Sequence, residues 1–235
     1  MSPPAPVTAI AGAAPPATKR RPGRPPADAS PATRDEILLA ALDAFAALGY
    51  DGTSVREICQ RLGVSHNLIH QRFGTKRGLW DAMVDRWFAE LAAGLDAVLD
   101  DLGPGDDLVA GLHRFVVTFV ELNAARPELL RLMNVEAGLD TDRLDHIWTR
   151  YVEPFSRRFG RLMQRAVDGG LVRPLPLGTF FTLLAHGSTA LAAHPPLARR
   201  LGVPDPHEPH ALRAHAEAVA AILLAPPDSG SHGTP

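Results

Sequence analysis

TSVREICQRLGVSHNLIHQRFGTKRGLW, running from Thr53 to Trp80, reads as two short helices joined by a tight glycine turn and closed by a basic loop. In its first half Val55, Ile58, Cys59 and Leu62 recur at i, i+3, i+4 and i+7, one apolar face of a 3.6-residue repeat. Ser54 stands at the N-cap with Glu57 three residues on, the pattern of a capping box. Gly63 supplies the turn, and Ser65 can cap the second helix. There Ile69 and Phe73 are expected inward, which leaves His66, Asn67, His70, Gln71 and Arg72 facing out. A helix whose outer face is all hydrogen-bonding groups, braced on an apolar partner, has the helix-turn-helix layout, in which the second helix enters the DNA major groove.

Charge agrees with that layout. No acid stands between Glu57 and Asp81, whereas Arg61, Arg72, Lys76 and Arg77 all do. Acids dominate on either side, so the gap is local and suits a surface facing phosphates. A basic solvated face of an ordinary helical protein would account for the charge, but it leaves the turn spacing and the two caps unexplained.

From Thr33 to about Phe88 the chain resembles the DNA-binding domain of the TetR family of transcriptional regulators. The resemblance rests on the first helix, TRDEILLAALDAFAALGYDGTS, on the helix-turn-helix, and on FGTKRGLW at the start of a fourth helix. Its most specific parts are the joint Gly49-Tyr50-Asp51-Gly52-Thr53 and the closing Phe73-Gly74-Thr75-Lys76. One departure stands out: the family usually places a tyrosine near the middle of the recognition helix, where this chain has His70. A contact made there by a hydroxyl would pass to an imidazole or to a neighbour.

A length of 235 residues suits one or two domains, and 46% apolar residues are ample for a helical core. The net charge of −2 alone would not suggest nucleic acid. Its distribution does, because residues 1–34 hold Lys19, Arg20, Arg21, Arg24 and Arg34 against Asp28 alone. Cys59 is the single cysteine, which excludes an internal disulfide framework and fits a reducing cytoplasm. No apolar run approaches the roughly 20 residues that span a bilayer, and the N-terminus lacks an apolar stretch before a cleavage site. The expectation is a soluble, cytoplasmic protein that meets no membrane.

Residues 1–30 are rich in Pro and Ala without a hydrophobic period and read as a disordered arm. Within it, Arg20-Arg21-Pro22-Gly23-Arg24-Pro25-Pro26 resembles the core of an AT-hook, an extended arginine pair suited to a narrow minor groove. Taken alone the segment is equally a solubilising basic tail; its place before a helix-turn-helix favours Arg21 and Arg24 as groove contacts. A DNA-binding domain is expected over 31–88, a larger C-terminal domain over 89–226, and a disordered tail over 227–235. The first helix starts at Thr33, with Glu36 completing a capping box, and ends at Gly49, its stripe being Ile37, Leu38, Ala41, Leu42, Phe45 and Leu48. A fourth helix spans about Thr75–Leu102, and Gly103-Pro104-Gly105 stops it. Beyond lie helices over 106–125, from Pro127 to about Val135, from Thr141 to Asp168 with a kink or restart at Pro154, and over about Leu177–Ala193 and Glu208–Ala225. Pro195-Pro196 is read as the stop of the penultimate helix. No strand alternation occurs, so the fold class is all-α.

Other signals are weaker. His66 and His70 have the i, i+4 spacing of zinc ligands, but no third ligand is near, and His207, His210 and His215 read as surface histidines. Cys59 falls on an inward face, so core packing is expected rather than redox sensing. The chain has no phosphate-cradling glycine loop, nucleophile elbow or paired CxxC. Neither catalysis, metal nor cofactor is expected.

The resemblance implies a ligand-responsive DNA-binding regulator, most naturally a repressor, acting as a homodimer on a palindromic operator. The alternatives are a helical small-molecule binding protein and an all-α enzyme. His66, Asn67 and His70 would face base edges, with Ser65 and Gln71 beside them; Leu68, if outward, would touch a thymine methyl. Thr53, Arg72 and Lys76 would hold phosphates. The last two helices would pair between subunits through Leu183, Leu184, Ala190 and Leu191 and through Leu212, Ala216, Val219, Ala220, Leu223 and Leu224. A small, mainly apolar effector would sit among Phe115, Phe119, Met133, Trp148, Tyr151, Phe155 and Phe181, with His113, Asn134, Glu136 and His186 as polar anchors. The fourth helix is expected to be the one element touching both sites.

Overall fold

The computed structural model describes residues 32–102, 107–203 and 205–227. The expectations placed on Arg21, Arg24 and the rest of the N-terminal arm, on Gly103-Pro104-Gly105 and on the tail from 228 lie outside them. Among the described residues every regular element is helical.

Helix α1 (Arg34–Gly52) opens on the expected capping box: Glu36 N donates to Thr33 Oγ1 at 3.2 Å and Thr33 N to Glu36 Oε2 at 2.7 Å. Its stripe is buried as expected except for Leu48, which is 55% exposed. Leu48 sits on the last turn before Gly49 (φ 69°) breaks the helical path. Helices α2 (Val55–Leu62) and α3 (His66–Phe73) follow, joined at Gly63, whose φ of 65° and ψ of 22° is the left-handed region glycine enters freely. Helix α4 (Lys76–Asp100) then buries Leu79, Trp80, Met83, Val84, Trp87 and Phe88 against α1.

Helix α5 (Leu108–Ala125) is long and apolar enough to cross a membrane on length and composition alone. That corrects the sequence reading, in which no stretch came near a span. Its side chains are consumed inside the protein: Leu112, Phe115 and Val116 are fully buried, with α4, α8 (Glu153–Asp168) and α12 (Pro209–Leu223) packed around it. Helix α6 (Pro127–Ala137) begins, as expected, with proline in its first turn, where the missing N–H costs nothing. Helix α7 (Asp142–Ile147) runs through a π-turn (Trp148–Val152) directly into α8. The helical path changes at the expected place: the π-turn ends at Val152, and α8 starts at Glu153 with Pro154 in its first turn.

The stretch expected as one helix over 177–193 is divided. Helix α9 (Leu177–Thr182) passes through a second π-turn (Leu183–Gly187) to the single turn α10 (Ala190–Ala193). Pro195, read as a stop, starts a further helix α11 (Pro195–Arg200). A second correction concerns subunit pairing: Leu184, Ala216, Ala220, Leu223 and Leu224 are buried in the core of the single chain. There they close over α5 and Phe159 rather than remaining free.

Two apolar cores result. One fills the body, with Phe115, Phe159 and Phe180 at its centre. The other joins α1–α4 to Leu129 and Leu132 of α6 and Ile147 of α7. Packing thus runs across the boundary expected at residue 88.

Candidate nucleic-acid interface and ligand cavity

Helix α3 is short, and tertiary packing rather than propensity must hold it. Ile69 is its buried anchor; Leu68 and Phe73 are half-buried against the same core, so Leu68 is not the outward methyl contact considered from sequence. Ser65 caps it, accepting from Leu68 N at 3.2 Å. Ser54, by contrast, makes no side-chain cap on α2, so the capping box expected there with Glu57 is absent. His66, Asn67, His70, Gln71 and Arg72 are exposed together on the outward face. At the far end Thr75 caps α4, and a Cβ on Gly78 would lie 2.1 Å from the Phe73 carbonyl oxygen. Only glycine lets α4 start this close under the recognition helix.

The acid-free stretch carries less open charge than its sequence suggests. Arg61 pairs with Asp43 at 3.1 Å, and Arg77 is held by Asp81 at 2.7 Å and by Asp142 of α7. Arg72 has no ion pair among the described residues; its Nη1 donates to Ala32 O at 2.9 Å and its other donors stay exposed. Lys76 Nζ lies 3.3 Å from Asp51 O and 4.6 Å from the Tyr50 ring centroid, at the joint between α1 and α2. Arg56, exposed on the first turn of α2, adds a cation that sequence reasoning missed because it precedes Glu57.

Thr53 requires a correction. It was expected to reach a phosphate, yet it is buried and its Oγ1 lies 2.7 Å from Gly49 O and 3.1 Å from Ala44 O. The hydroxyl proton is spent on these two carbonyls of α1. Cys59 is buried as expected, and burial pushes its thiol up.

A cavity of about 250 Å³ opens in the body. Phe88, Leu91, Ala92 and Leu95 of α4 form one wall, Phe119 and Asn123 of α5 a second, and Leu129, Leu130, Met133 and Ala137 of α6 a third. Tyr151 and Val152 come from the first π-turn, Phe155 from α8, Phe181 and Thr182 from α9, and Ala185 and His186 from the second π-turn. Both π-turns thus face one space, consistent with their frequent place at functional sites. Phe119, Met133, Tyr151, Phe155, Phe181 and His186 stand where the sequence expected them.

The other expected lining residues do not. Phe115 is fully buried behind the wall, 5.4 Å from the Phe155 ring and 4.5 Å from Phe159. Glu136 is fully buried but turned to Arg143, whose Nε lies 3.0 Å from Oε2. Arg143 in turn lies over the Tyr50 ring at 4.3 Å. Trp148, the first residue of the π-turn, is 47% exposed, and His113 is occupied by Glu217 at 2.7 Å. Asn134 is exposed and off the wall. Asn123 was missed although the sequence marks it: it is the lone polar residue continuing the apolar row Leu112, Val116, Phe119.

Tyr151 ties the cavity to α4. Its hydroxyl donates to Asp85 Oδ1 at 2.8 Å, and His146 Nε2 sits 2.9 Å from the same oxygen. Burial first, and the Asp85 carboxylate second, push the Tyr151 phenol up to about 12. Helix α4 is not the only shared element, as had been expected. Leu129 of α6 belongs to the cavity wall and to the core beneath the recognition helix, and Val135 Cγ1 would lie 3.8 Å from a Cβ on Gly49.

Comparison with known proteins follows the same lines. The family described as bacterial regulatory proteins, tetR family, matches residues 37–83. The chain is 37% identical over 103 residues to an HTH-type transcriptional repressor of Mycobacterium tuberculosis, covering 42% of this chain and 49% of that one. It is 29% identical over 105 residues to the HTH-type transcriptional regulator RutR of Escherichia coli, covering 45% of this chain and 48% of RutR. The chain thus spans about half the length of the curated relatives it matches. Among solved structures it is similar to the TetR family regulator PfmR of Thermus thermophilus, with TM-score 0.62 and 20% identity over 85% of this chain and 99% of that one. The fatty acid degradation regulator FadR of Bacillus halodurans gives TM-score 0.59 and 17% identity over 82% and 98%. At these identities the structures establish the fold alone.

Proposed function

We propose that this chain, similar over residues 37–83 to the bacterial regulatory proteins of the tetR family, is a transcriptional repressor whose grip on an operator is released by a small, mainly apolar effector. The observation that carries the reading is the outward face of α3: five exposed hydrogen-bonding side chains ending at Arg72, with Lys76 following at the start of α4. Asn67 pairs with an adenine edge, and His66 and His70 meet neighbouring bases. Arg72, Lys76 and Arg56 hold phosphates on either side.

Specificity from so short a helix needs a second copy, so the acting form is a homodimer on a palindromic site. With the inner faces of α9 and α12 used up, pairing falls to their outer faces. Helix α12 keeps Ala214, Ala218, Ala221 and Ile222 exposed along one stripe, and Leu183 is exposed on the second π-turn. Effector binding in the body cavity opposes DNA binding by shifting α4 and α6 together.

A mobility-shift titration against the DNA upstream of its own gene tests the reading. Binding is expected to be sequence-dependent and to weaken steeply with salt. Sequence-independent or salt-insensitive binding would instead make the protein a helical small-molecule carrier.

A further inference from the structure

Most of the hydroxyl and amide hydrogens at the cavity are already claimed. Asn123 is 4% exposed and lines the wall, and its Nδ2 donates to Phe119 O at 2.8 Å. A carbonyl can only accept, so the amide orientation is fixed; Oδ1 and the second Nδ2 hydrogen remain, and only a donor on the occupant can satisfy Oδ1. Tyr151 gives its proton to Asp85, and Thr182 Oγ1 donates to Gly178 O at 2.8 Å. Three polar side chains at one apolar cavity therefore offer lone pairs, and among them only the second Nδ2 hydrogen of Asn123 as a donor. No arginine, lysine, aspartate or glutamate lines the space, and its one imidazole, His186, is exposed.

We infer that this cavity selects an uncharged apolar molecule, preferably an aromatic ring, that carries a hydroxyl or N–H donor directed to Asn123 Oδ1. The inference rests on the cavity being the effector site. An apolar hydrogen-bond acceptor would leave the buried amide oxygen unpaired. A carboxylate would meet lone pairs at Tyr151 and Thr182, find one amide hydrogen at Asn123, and lose its water without an arginine or lysine in return. Phe88, Phe119, Phe155 and Phe181 supply the edges and faces a ring packs on. The volume of about 250 Å³ leaves room for a substituted ring.

Three probes of one shape separate the possibilities: para-butylphenol, its methyl ether para-butylanisole, and para-butylbenzoate. Calorimetric titration of the full chain should give the phenol at least tenfold tighter binding than the ether, and no measurable binding of the benzoate. Asn123→Leu should erase the preference between phenol and ether. Ala185→Trp, which fills the cavity, should abolish binding of all three; Leu130→Trp serves the same purpose should the first variant fail to melt cooperatively. Ether or benzoate binding as tightly as the phenol, no binding by any probe, or an unchanged preference in N123L overturns the inference, as does phenol binding that survives both cavity-filling variants. If the phenol binds with the stated preference but leaves operator affinity unchanged, the donor selectivity stands and the effector reading of the cavity falls.

Discussion

Thr53→Val sets the structure against the expectation drawn from sequence. The side chain is 4% exposed, its backbone is extended (φ −80°, ψ 131°), and valine suits that conformation. What the substitution removes is one hydroxyl proton shared between Gly49 O at 2.7 Å and Ala44 O at 3.1 Å. Losing such a bond, with a carbonyl left short of a donor, costs about 1–2 kcal/mol. For a chain of this size that lowers Tm by about 2–4 °C per kcal/mol. Were Thr53 instead a phosphate contact, the fold would be untouched and operator affinity would drop by about 1.5–3 kcal/mol, roughly tenfold or more. Calorimetric melting and operator titration at a temperature where the variant is fully folded read the two quantities separately. The expected result is a lower Tm with operator Kd within about threefold of the parent, since 1.4 kcal/mol is tenfold. An unchanged Tm with a tenfold weaker Kd would refute the structural assignment.

Further outcomes follow from the same geometry. Gly78→Ala should destabilise by about 1–3 kcal/mol, because the Cβ meets a backbone carbonyl at 2.1 Å that cannot swing aside; denaturant melts check it. Lys76→Ala should weaken binding to all DNA sequences alike, whereas Asn67→Ala should cost about 1–3 kcal/mol and relax preference at one base pair; an operator library distinguishes them. Trp148→Ala should leave effector affinity unchanged, Trp148 being 47% exposed and off the wall, while Phe155→Ala should reduce it in the same titration. The chain holds two tyrosines, and both phenols are raised, Tyr50 by burial and Tyr151, by burial and then Asp85, to about 12. A folded pKa above the unfolded value of ~10 adds stability that is complete below pH ~10 and lost as pH rises through about 12. Ultraviolet titration should therefore find neither tyrosine ionising at its usual position, and Asp85→Asn should bring Tyr151 down only in part, burial being the larger cause.

The reading head was legible because its signals are local. The Thr33–Glu36 box, the turn at Gly63 and the cap at Ser65 each depend on residues within four positions, and each forms as expected. The outward face of α3 follows from helical period alone. Thr53 went wrong for the opposite reason: its hydroxyl proton goes to two carbonyls of α1, and the sequence does not reveal whether a carbonyl or a phosphate receives it. The cavity was half legible. Aromatic residues on central helices point to it, but their rotation does not, and each π-turn shifts the residues after it relative to a regular helix. Trp148, at the start of the first π-turn, is turned out, while Tyr151 and His186 stand on the wall. Glu136 and Asn134 looked like polar anchors by proximity, whereas Asn123, one polar residue in an apolar row, was the better signal.

Two helices, not one, connect the cavity to the recognition helix, and they do so differently. Helix α4, 25 residues and roughly 38 Å at 1.5 Å per residue, carries cavity residues from Phe88 to Leu95 and begins under α3. It is tied to α7 and α8 by polar links: Arg77 to Asp142, His146 and Tyr151 to Asp85, and Arg158 to Asp96 at 2.9 Å. The exposed pairs among them, Arg77–Asp142 and Arg158–Asp96, are each worth at most about 1 kcal/mol and can rearrange at little cost. Helix α6 has no such slack. Leu129 faces the cavity and is also buried in the core shared with α1, where Leu132 is fully enclosed. Close-packed interiors transmit displacement because voids are costly. An occupant that moves α6 therefore moves α1, while the polar links let α4 follow by exchanging partners. On the proposed function the coupling is reciprocal, so operator DNA lowers effector affinity by the factor by which effector lowers DNA affinity. The rigid path through α6 sets the size of that factor, and the polar path along α4 sets how readily the head can adopt the second arrangement.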